Sequence, residues 1–245
     1  MKIICIIVAF VLGAVATSAG AILPFAPTKE EIAVLPPFCA ARIGGAPGYE
    51  QWVERLGRDF DHTHHYCYAL NFLNRYNRTN SPQDKRHYLN EAETNFSYMV
   101  THARADYVLM PEIYINRAKM YRLRNDIGKA VADLSKAIEL SPNSSRGYVV
   151  LADTYDDLKQ PQRALEVVTQ GLRHDPNSKS LQRRYAEHGG KMPYPEPYAA
   201  AVPGPGPASS GPAPAVPVNP GTSRETSTPP SAEPRVVEAQ PPLRK

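Results

Sequence analysis

The densest group of potential metal ligands in the sequence is residues 62–67, which read HTHHYC and place three histidines beside a thiol. Such a cluster could bind a transition metal or a haem. On a helix, however, His62 and His65 lie on one face and His64 projects elsewhere, whereas ligands for one ion sit at i and i+4 or on separate elements. The pattern therefore favours a structural role for the histidines. Metal or haem binding through His62, His64 or His65 is the alternative.

Motifs for enzymatic chemistry are absent from the rest of the sequence. It contains no Gly-x-Ser-x-Gly elbow, no His-Glu-x-x-His motif and no glycine-rich phosphate loop that opens a helix. No Cys-x-x-Cys-His motif is present for covalent haem attachment. The neighbouring carboxylates Asp156 and Asp157 fall within a predicted surface helix, where solvated charge is their ordinary role. We therefore expect a protein that is not an enzyme and that needs no cofactor.

The charge balance and the proline distribution separate a folded part from a tail. The formal net charge is +4, the pI is about 8.9 and no basic run appears, so the pattern does not indicate nucleic-acid binding. Fifteen of the 25 prolines lie between positions 193 and 242. Residues 191–245 have few large apolar side chains and cannot bury enough surface to offset their ordering entropy. We expect this tail to be disordered, and a spacer or polyproline ligand is one role open to it.

The N-terminus has the three parts of a secretory signal peptide in residues 1–21. Lys2 supplies the positive start, residues 3–16 form an apolar run, and residues 19–21 (AGA) give a small-residue cleavage pattern. The run is shorter than the roughly 20 residues that cross a bilayer, which makes an uncleaved membrane anchor the weaker alternative. The sequence predicts an exported, periplasmic bacterial protein without a membrane span after signal removal.

The cysteines point to a disulfide if the chain is exported. Removal of the signal would take away Cys5 and leave Cys39 and Cys67. Two cysteines in an oxidising compartment usually pair. We predict a Cys39–Cys67 disulfide, which would stabilise the fold by roughly 3–4 kcal/mol by restricting the unfolded chain.

The clearest pattern in the sequence is a repeat of 34 residues that covers positions 111–144 and 145–178. The matched pairs are Tyr114 and Tyr148, Ala118 and Ala152, Tyr121 and Tyr155, Ala130 and Ala164, Pro142 and Pro176, Asn143 and Asn177, and Ser144 and Ser178. This period, with two helical patterns and a closing proline in each copy, is typical of stacked helix–turn–helix units. The expected helices span 111–124, 127–140, 145–158 and 161–174.

The repeat resembles the tetratricopeptide repeat family, whose units have aromatic residues at positions 4 and 11, small residues at 8, 20 and 27, and proline at 32. Ala137 and Gly171 occupy position 27 of the two copies. The resemblance implies a right-handed solenoid whose first helices line a concave groove for a peptide. It also implies the groove residues, which are Ile115, Asn116, Lys119, Arg122, Arg146, Val149, Val150 and Asp153.

The implied groove has a mixed charge, because its first unit is basic and its second unit is acidic. A peptide that carries both signs would suit it. Asn116 and Arg146 resemble part of the family's clamp for a C-terminal carboxylate, although Val150 stands where the second unit of a full clamp has Arg. The function that the resemblance implies is a non-enzymatic scaffold that binds a protein or peptide partner in the cell envelope.

Two amphipathic helices are predicted ahead of the repeats. Apolar residues recur at spacings of three and four over residues 62–78, and Asp61 is placed to cap that helix. Ser81 followed by Pro82 predicts a second helix that runs to about residue 102. Since about three units are needed for a stable array, we interpret this pair as a degenerate first repeat.

The sequence thus predicts an all-α fold, an antiparallel helix–turn–helix repeat array followed by a disordered Pro-rich tail. The predicted segments are a signal peptide (1–21), an irregular segment (22–60), the helix pair (61–110), two repeat units (111–144 and 145–178), a polar capping helix (179–190) and the tail (191–245).

Overall fold

The computed structural model describes residues 23–199, and the predicted signal peptide and the tail beyond residue 199 lie outside that range. The described residues form ten α-helices and one 3-10 turn, without a strand, which confirms the predicted all-α class. The helices are α1 Lys29–Ala33, α2 Pro37–Ile43, α3 Tyr49–Leu56, α4 Thr63–Arg78, α5 Pro82–His102, α6 Met110–Leu123, α7 Ile127–Leu140, α8 Ser145–Asp157, α9 Pro161–His174 and α10 Lys179–Glu187. Among them, none combines the length and the apolar character that a membrane span requires.

Helices α4 to α9 form a helix–turn–helix repeat array. Helix α4 packs against α5, α6 against α7 and α8 against α9, and successive pairs are joined through α5 with α6 and α7 with α8. Helix α10 closes the array against α8 and α9. One hydrophobic core runs through all these helices, from Tyr66 on α4 to Leu181 on α10. The pair α4–α5 thus packs at the start of this array, and its interpretation as a degenerate first repeat stays a prediction.

Small side chains set the distance between the repeat helices. Ala118, Ala130, Ala152 and Ala164 are all fully buried. The closest approach is at Gly171, where an added Cβ atom would lie 2.8 Å from Cγ of Tyr148 and 2.9 Å from Cδ1 of Leu181. Position 27 of this unit is glycine because the backbone of α9 lies against these two side chains.

Residues 23–43 of the N-terminal segment, which we expected to be irregular, contain the helices α1 and α2. Thr28 and Glu31 form a capping box that starts α1, with each side chain accepting a hydrogen bond from the other's backbone amide. Pro37 occupies the first position of α2, where the missing amide hydrogen costs no helical hydrogen bond. The Thr-x-x-Glu pattern was a visible signal for α1.

The predicted N-cap of α4 is wrong. Asp61 lies inside the 3-10 turn Arg58–His62, and His62 precedes the helix without a side-chain cap. The carboxylate of Asp61 instead accepts a hydrogen bond from the hydroxyl of Tyr49. Local sequence favoured a cap at Asp61, but the turn continues directly into α4.

Two links fix the N-terminal helices to α4. Cys39 on α2 and Cys67 on α4 form a disulfide with their Cα atoms 5.6 Å apart. Arg75 on α4 donates from Nε and Nη2 to the two carboxylate oxygens of Glu31 on α1, each at 2.7 Å. Both side chains of this ion pair are buried, with 1% and 8% exposed. Hydrogen bonds from Arg75 lower the pKa of Glu31 to about 2.

Residues 191–199, which we predicted to belong to the disordered tail, pack back onto the array. The backbone amide of Tyr198 donates to the carbonyl of Arg173 at 2.9 Å, and its ring lies 4.7 Å from the ring of His174. Tyr194 contacts Tyr185 with ring centroids 5.9 Å apart. The prediction failed here because two tyrosines among the prolines supply the contacts that composition alone did not anticipate.

Candidate functional site

The candidate groove residues lie on α6 and α8, the first helices of the two repeat units. They do not all present surface to a ligand. Ile115 and Val150 are buried in the hydrophobic core, and Val149 packs against the core as a partly buried residue. Lys119 and Arg146 remain accessible. The charged residues, rather than the aliphatic ones, therefore determine the character of this face.

Asn116 is buried, and its side chain is occupied by neighbours within the chain. Its Nδ2 donates to Oη of Tyr66 at 2.7 Å and to Oε1 of Glu112 at 2.9 Å, and its Oδ1 accepts from Nζ of Lys119 at 3.3 Å. Burial raises the pKa of the Tyr66 hydroxyl above its usual range, so this group stays protonated. Asn116 thus joins α4 to α6 beneath the groove, a position that does not suit the clamp role implied by the resemblance.

The accessible cations of the face are Lys119 and Arg146. Nη1 of Arg146 lies 2.9 Å from Oε1 of Glu112, and about half of the Arg146 side chain stays exposed. Lys119 has no carboxylate oxygen within 4.0 Å among residues 23–199. Desolvation, aided by the positive charge of Arg146, lowers the pKa of Lys119. A partly desolvated ammonium that no carboxylate of residues 23–199 contacts directly is a favourable place for an incoming anion.

The acidic half of the predicted groove is largely neutralised by the cap. Arg184 on α10 forms an ion pair with Asp153, and Nε2 of His188 lies 3.3 Å from Oδ2 of Asp156. Burial raises the pKa of Asp153, and the charge of Arg184 opposes that shift. The expectation of a mixed-charge groove was thus incomplete, because the α8 carboxylates already have partners. The Arg and His residues of the predicted capping helix were the signal for this.

Arg122, the remaining groove cation, is also paired. Its Nη2 lies 2.5 Å from Oδ2 of Asp157, which joins α6 to α8 across the inter-unit boundary. Within residues 23–199, Lys119 is therefore the cation of this face without a carboxylate oxygen within 4.0 Å, and Arg146 pairs with Glu112 while about half of its side chain stays exposed.

A pocket of about 510 Å³ adjoins this basic patch and was not anticipated from the sequence. One wall is the turn between α1 and α2, and the other walls come from α4, α6 and α8. Its lining residues are Val34, Leu35, Pro36, Phe38, Tyr66, Leu70, Asn74, Leu109, Glu112, Asn116 and Arg146. The N-terminal segment, which lies outside the repeats, thus contributes directly to the concave face.

The predicted histidine cluster forms an aromatic stack between α4 and α5. The Tyr98 ring lies between those of His65 and His102, with centroid distances of 3.6 Å and 3.9 Å. His64 lies 4.2 Å beyond His65 in the same stack. His102 was not among the sequence candidates, because it lies 37 positions after His65 and meets it only through the packing of α5 on α4.

The ring nitrogens of these histidines have partners within the protein. Nδ1 of His65 is 2.8 Å from Oδ1 of Asn95, and Nδ1 of His62 is 3.3 Å from Oη of Tyr98. Cys67 is in the disulfide and does not offer a thiolate. Across residues 23–199, no group of three or more His, Cys, Asp or Glu side chains is placed to hold a metal ion.

The fold defines a helix–turn–helix repeat protein whose concave face carries the accessible cations Lys119 and Arg146. Residues 121–186 match the family model of the tetratricopeptide repeat, as the 34-residue pattern indicated. The matched segment begins in α6 and ends in α10, and it excludes the N-terminal helices.

Curated relatives match this chain over a segment of similar length. Hsp70-Hsp90 organizing protein 1 of Glycine max is 37% identical over 68 residues, which are 28% of this chain and 12% of that protein. Hsp70-Hsp90 organizing protein 2 of Arabidopsis thaliana is 34% identical over 71 residues, 29% of this chain and 12% of that protein. The chain thus spans about an eighth of the length of these relatives.

Solved structures are also similar to this chain, at low sequence identity. A thermophilic TPR protein of Thermus thermophilus is 20% identical with a TM-score of 0.46, over 57% of this chain and 68% of that chain. The TPR2AB-domain:pHSP90-complex of yeast Sti1 is 18% identical with a TM-score of 0.42, over 60% of this chain and 55% of that chain.

Proposed function

We propose that this protein is a non-enzymatic scaffold that binds an acidic, extended peptide segment of a partner protein along the concave face of α6 and α8. The observation that carries the proposal is the accessible positive charge of Lys119, one turn after Asn116 on α6, together with that of the half-exposed Arg146 on α8. The names of the matched relatives, which describe proteins that organise Hsp70 and Hsp90, support a protein-binding role for repeats of this kind.

The charge distribution supports an acidic ligand rather than a mixed one. Asp153 and Asp156 both lie beside Arg184 of α10, and Asp157 pairs with Arg122, so each of these α8 carboxylates already has a cationic neighbour. An anionic side chain of the ligand would form an ion pair with Lys119, and this ion pair would offset the free-energy cost of desolvating the ammonium.

Charge reversal at Lys119 and Arg146 tests the proposal. The variant Lys119→Glu with Arg146→Glu should reduce recovery of partner proteins from an envelope extract by about tenfold or more, as expected for the loss of paired charges at an interface. The matched control is Lys136→Glu with Arg86→Glu, which makes the same change in net charge on α7 and α5. Equal recovery by both double variants would count against the concave face, provided that their helical circular dichroism is unchanged.

We also propose that the mature protein acts in the bacterial cell envelope after export. The pairing of Cys39 with Cys67 supports this location, because structural disulfides persist in oxidising compartments. Fractionation of the producing cells and N-terminal sequencing of the native protein test it. The expected result is an envelope protein whose chain begins near residue 22, and a chain in the cytoplasmic fraction with its original N-terminus would contradict the proposal.

A further inference from the structure

We propose that the pocket between the α1–α2 turn and the repeat array holds a large apolar side chain of the bound peptide, directly beside an acidic residue of that peptide. This inference rests on the proposed function and specifies the ligand of the same face. The volume of about 510 Å³ falls in the usual range of ligand sites and exceeds that of one side chain. It can therefore receive a side chain together with its backbone.

The walls of the pocket determine which side chain fits. Leu35, Phe38 and Leu70 supply apolar surface, and Val34 at the mouth is 58% exposed to solvent. An exposed aliphatic residue beside other apolar residues gains stability when a ligand covers it. The pocket thus favours an aliphatic or aromatic occupant over a polar one.

The rim of the pocket determines what lies next to that side chain. Arg146 lines the rim, and Lys119 is hydrogen-bonded to the lining residue Asn116. Glu112, the partner of Arg146, also lines the pocket, so two cations and one carboxylate leave an excess positive charge there. A carboxylate one residue away from the apolar anchor would meet the two cations, whereas a basic neighbour would be repelled. Charge complementarity therefore selects a peptide in which Leu, Ile, Met or Phe stands beside Asp or Glu.

The disulfide holds the N-terminal wall of this pocket in place. Phe38 immediately precedes Cys39, and its ring stacks on Tyr66 with centroids 6.2 Å apart. Leu35, Cys39 and Cys67 form a small buried cluster against Leu70. Loss of the disulfide would loosen this wall against α4, because the ion pair of Arg75 with Glu31 and the stacking of Phe38 on Tyr66 would have to hold it. Peptide binding should therefore depend on the redox state of a bond that lies outside the repeats.

Peptide selection followed by affinity measurement tests the inference. A random decapeptide display library serves as the probe for the full-length chain, and an enriched peptide is then synthesised for calorimetry. Enriched sequences should contain a large apolar residue next to Asp or Glu. Val34→Glu should weaken binding of the synthesised peptide by about tenfold or more. The matched control Val108→Glu, at a valine that is 59% exposed away from the pocket, should change binding less than about twofold.

A second variant tests the disulfide. Cys39→Ser with Cys67→Ser should weaken the same peptide by about tenfold while the helical circular dichroism of the repeats persists. If Val34→Glu binds like Val108→Glu while Lys119→Glu with Arg146→Glu loses binding, the pocket is refuted and the concave face stands. If the charge reversal also leaves binding unchanged, or if the library yields no enriched peptide, both the pocket and the proposed function are refuted.

Discussion

The repeat units and the N-terminal segment are stabilised by different kinds of contact. In the repeats, buried alanines and Gly171 allow whole helices to approach closely, and the same contacts recur 34 positions later. In the N-terminal segment, α1 and α2 are too short to bury much surface, and they are attached to α4 by one disulfide and one ion pair. The first arrangement distributes its stability over many residues, and the second concentrates it in a few.

Each region contains a buried ion pair, which makes the contrast measurable. Arg117 on α6 donates to both carboxylate oxygens of Asp133 on α7 at 2.7 Å, within one repeat unit. Arg75 and Glu31 make the same kind of bidentate pair across 44 positions. The local pair joins two helices that already share a core. The long-range pair, in contrast, holds a segment that has few other contacts.

The largest effect is expected from Arg75→Met. It removes the cation and leaves the Glu31 carboxylate buried without a counter-charge, which should lower the free energy of unfolding by about 3–5 kcal/mol. Hydrogen exchange should show that the loss is concentrated in α1 and α2. Chemical denaturation gives the total loss, and exchange mass spectrometry gives its location.

Two control variants sharpen this result. Arg75→Met combined with Glu31→Leu should recover most of the lost stability, because no unpaired charge stays buried. Arg117→Met should destabilise to a similar extent, but with faster exchange throughout α6 and α7. If Arg75→Met left the amides of α1 protected, the concentrated stability of the N-terminal segment would be disproved.

An intermediate effect is expected from Gly171→Val, which tests close packing in the repeats. The new Cβ atom would fall within 3 Å of Tyr148 on α8 and Leu181 on α10, so α9 must move away from these two helices. Overpacking of this kind should cost about 1–3 kcal/mol in the free energy of unfolding. Gly128→Val is the matched control on α7, where an added Cβ meets no heavy atom within 4 Å. Similar midpoints of denaturation for both variants would contradict the packing role of Gly171.

This contrast also explains how much the sequence could predict. The bounds of α6 to α9 follow from the repeat period within one or two residues, because each position carries the same packing requirement in both units. Glu31 and Arg75 gave no such signal, since neither their spacing nor their neighbours repeat elsewhere. The basic residues of the capping helix were visible in the sequence, but the choice of Asp153 as the partner of Arg184 was not, and this pairing changed the predicted charge of the groove. Local periodicity predicts elements, whereas single long-range pairs depend on the assembled fold.

The smallest effect is expected from acidification of the histidine stack, which belongs to the α4–α5 pair. Desolvation lowers the pKa of His64 and of His65 below the usual 6.5, so the folded protein favours the neutral rings. The unfolded chain then binds more protons below pH 6.5, and the free energy of unfolding should decrease as the pH falls through that value. The charges that face these rings are those of Arg42, His62 and His102, all of which oppose protonation.

Thermal unfolding between pH 7.5 and 5.0 measures this dependence. His64→Gln with His65→Gln should flatten the decrease in the midpoint between pH 6.5 and 5, and His87→Gln, whose ring lies against Tyr88, is the matched control. The loss should be smaller than that of either substitution above, because the stacked rings are partly solvated. Glu31 does not contribute in this window, since with a folded pKa of about 2 its stabilising effect is complete above pH 4.5 and is lost only as the pH falls below that value. A double variant with the same pH dependence as His87→Gln would show that the histidine stack does not couple protonation to the packing of α4 on α5.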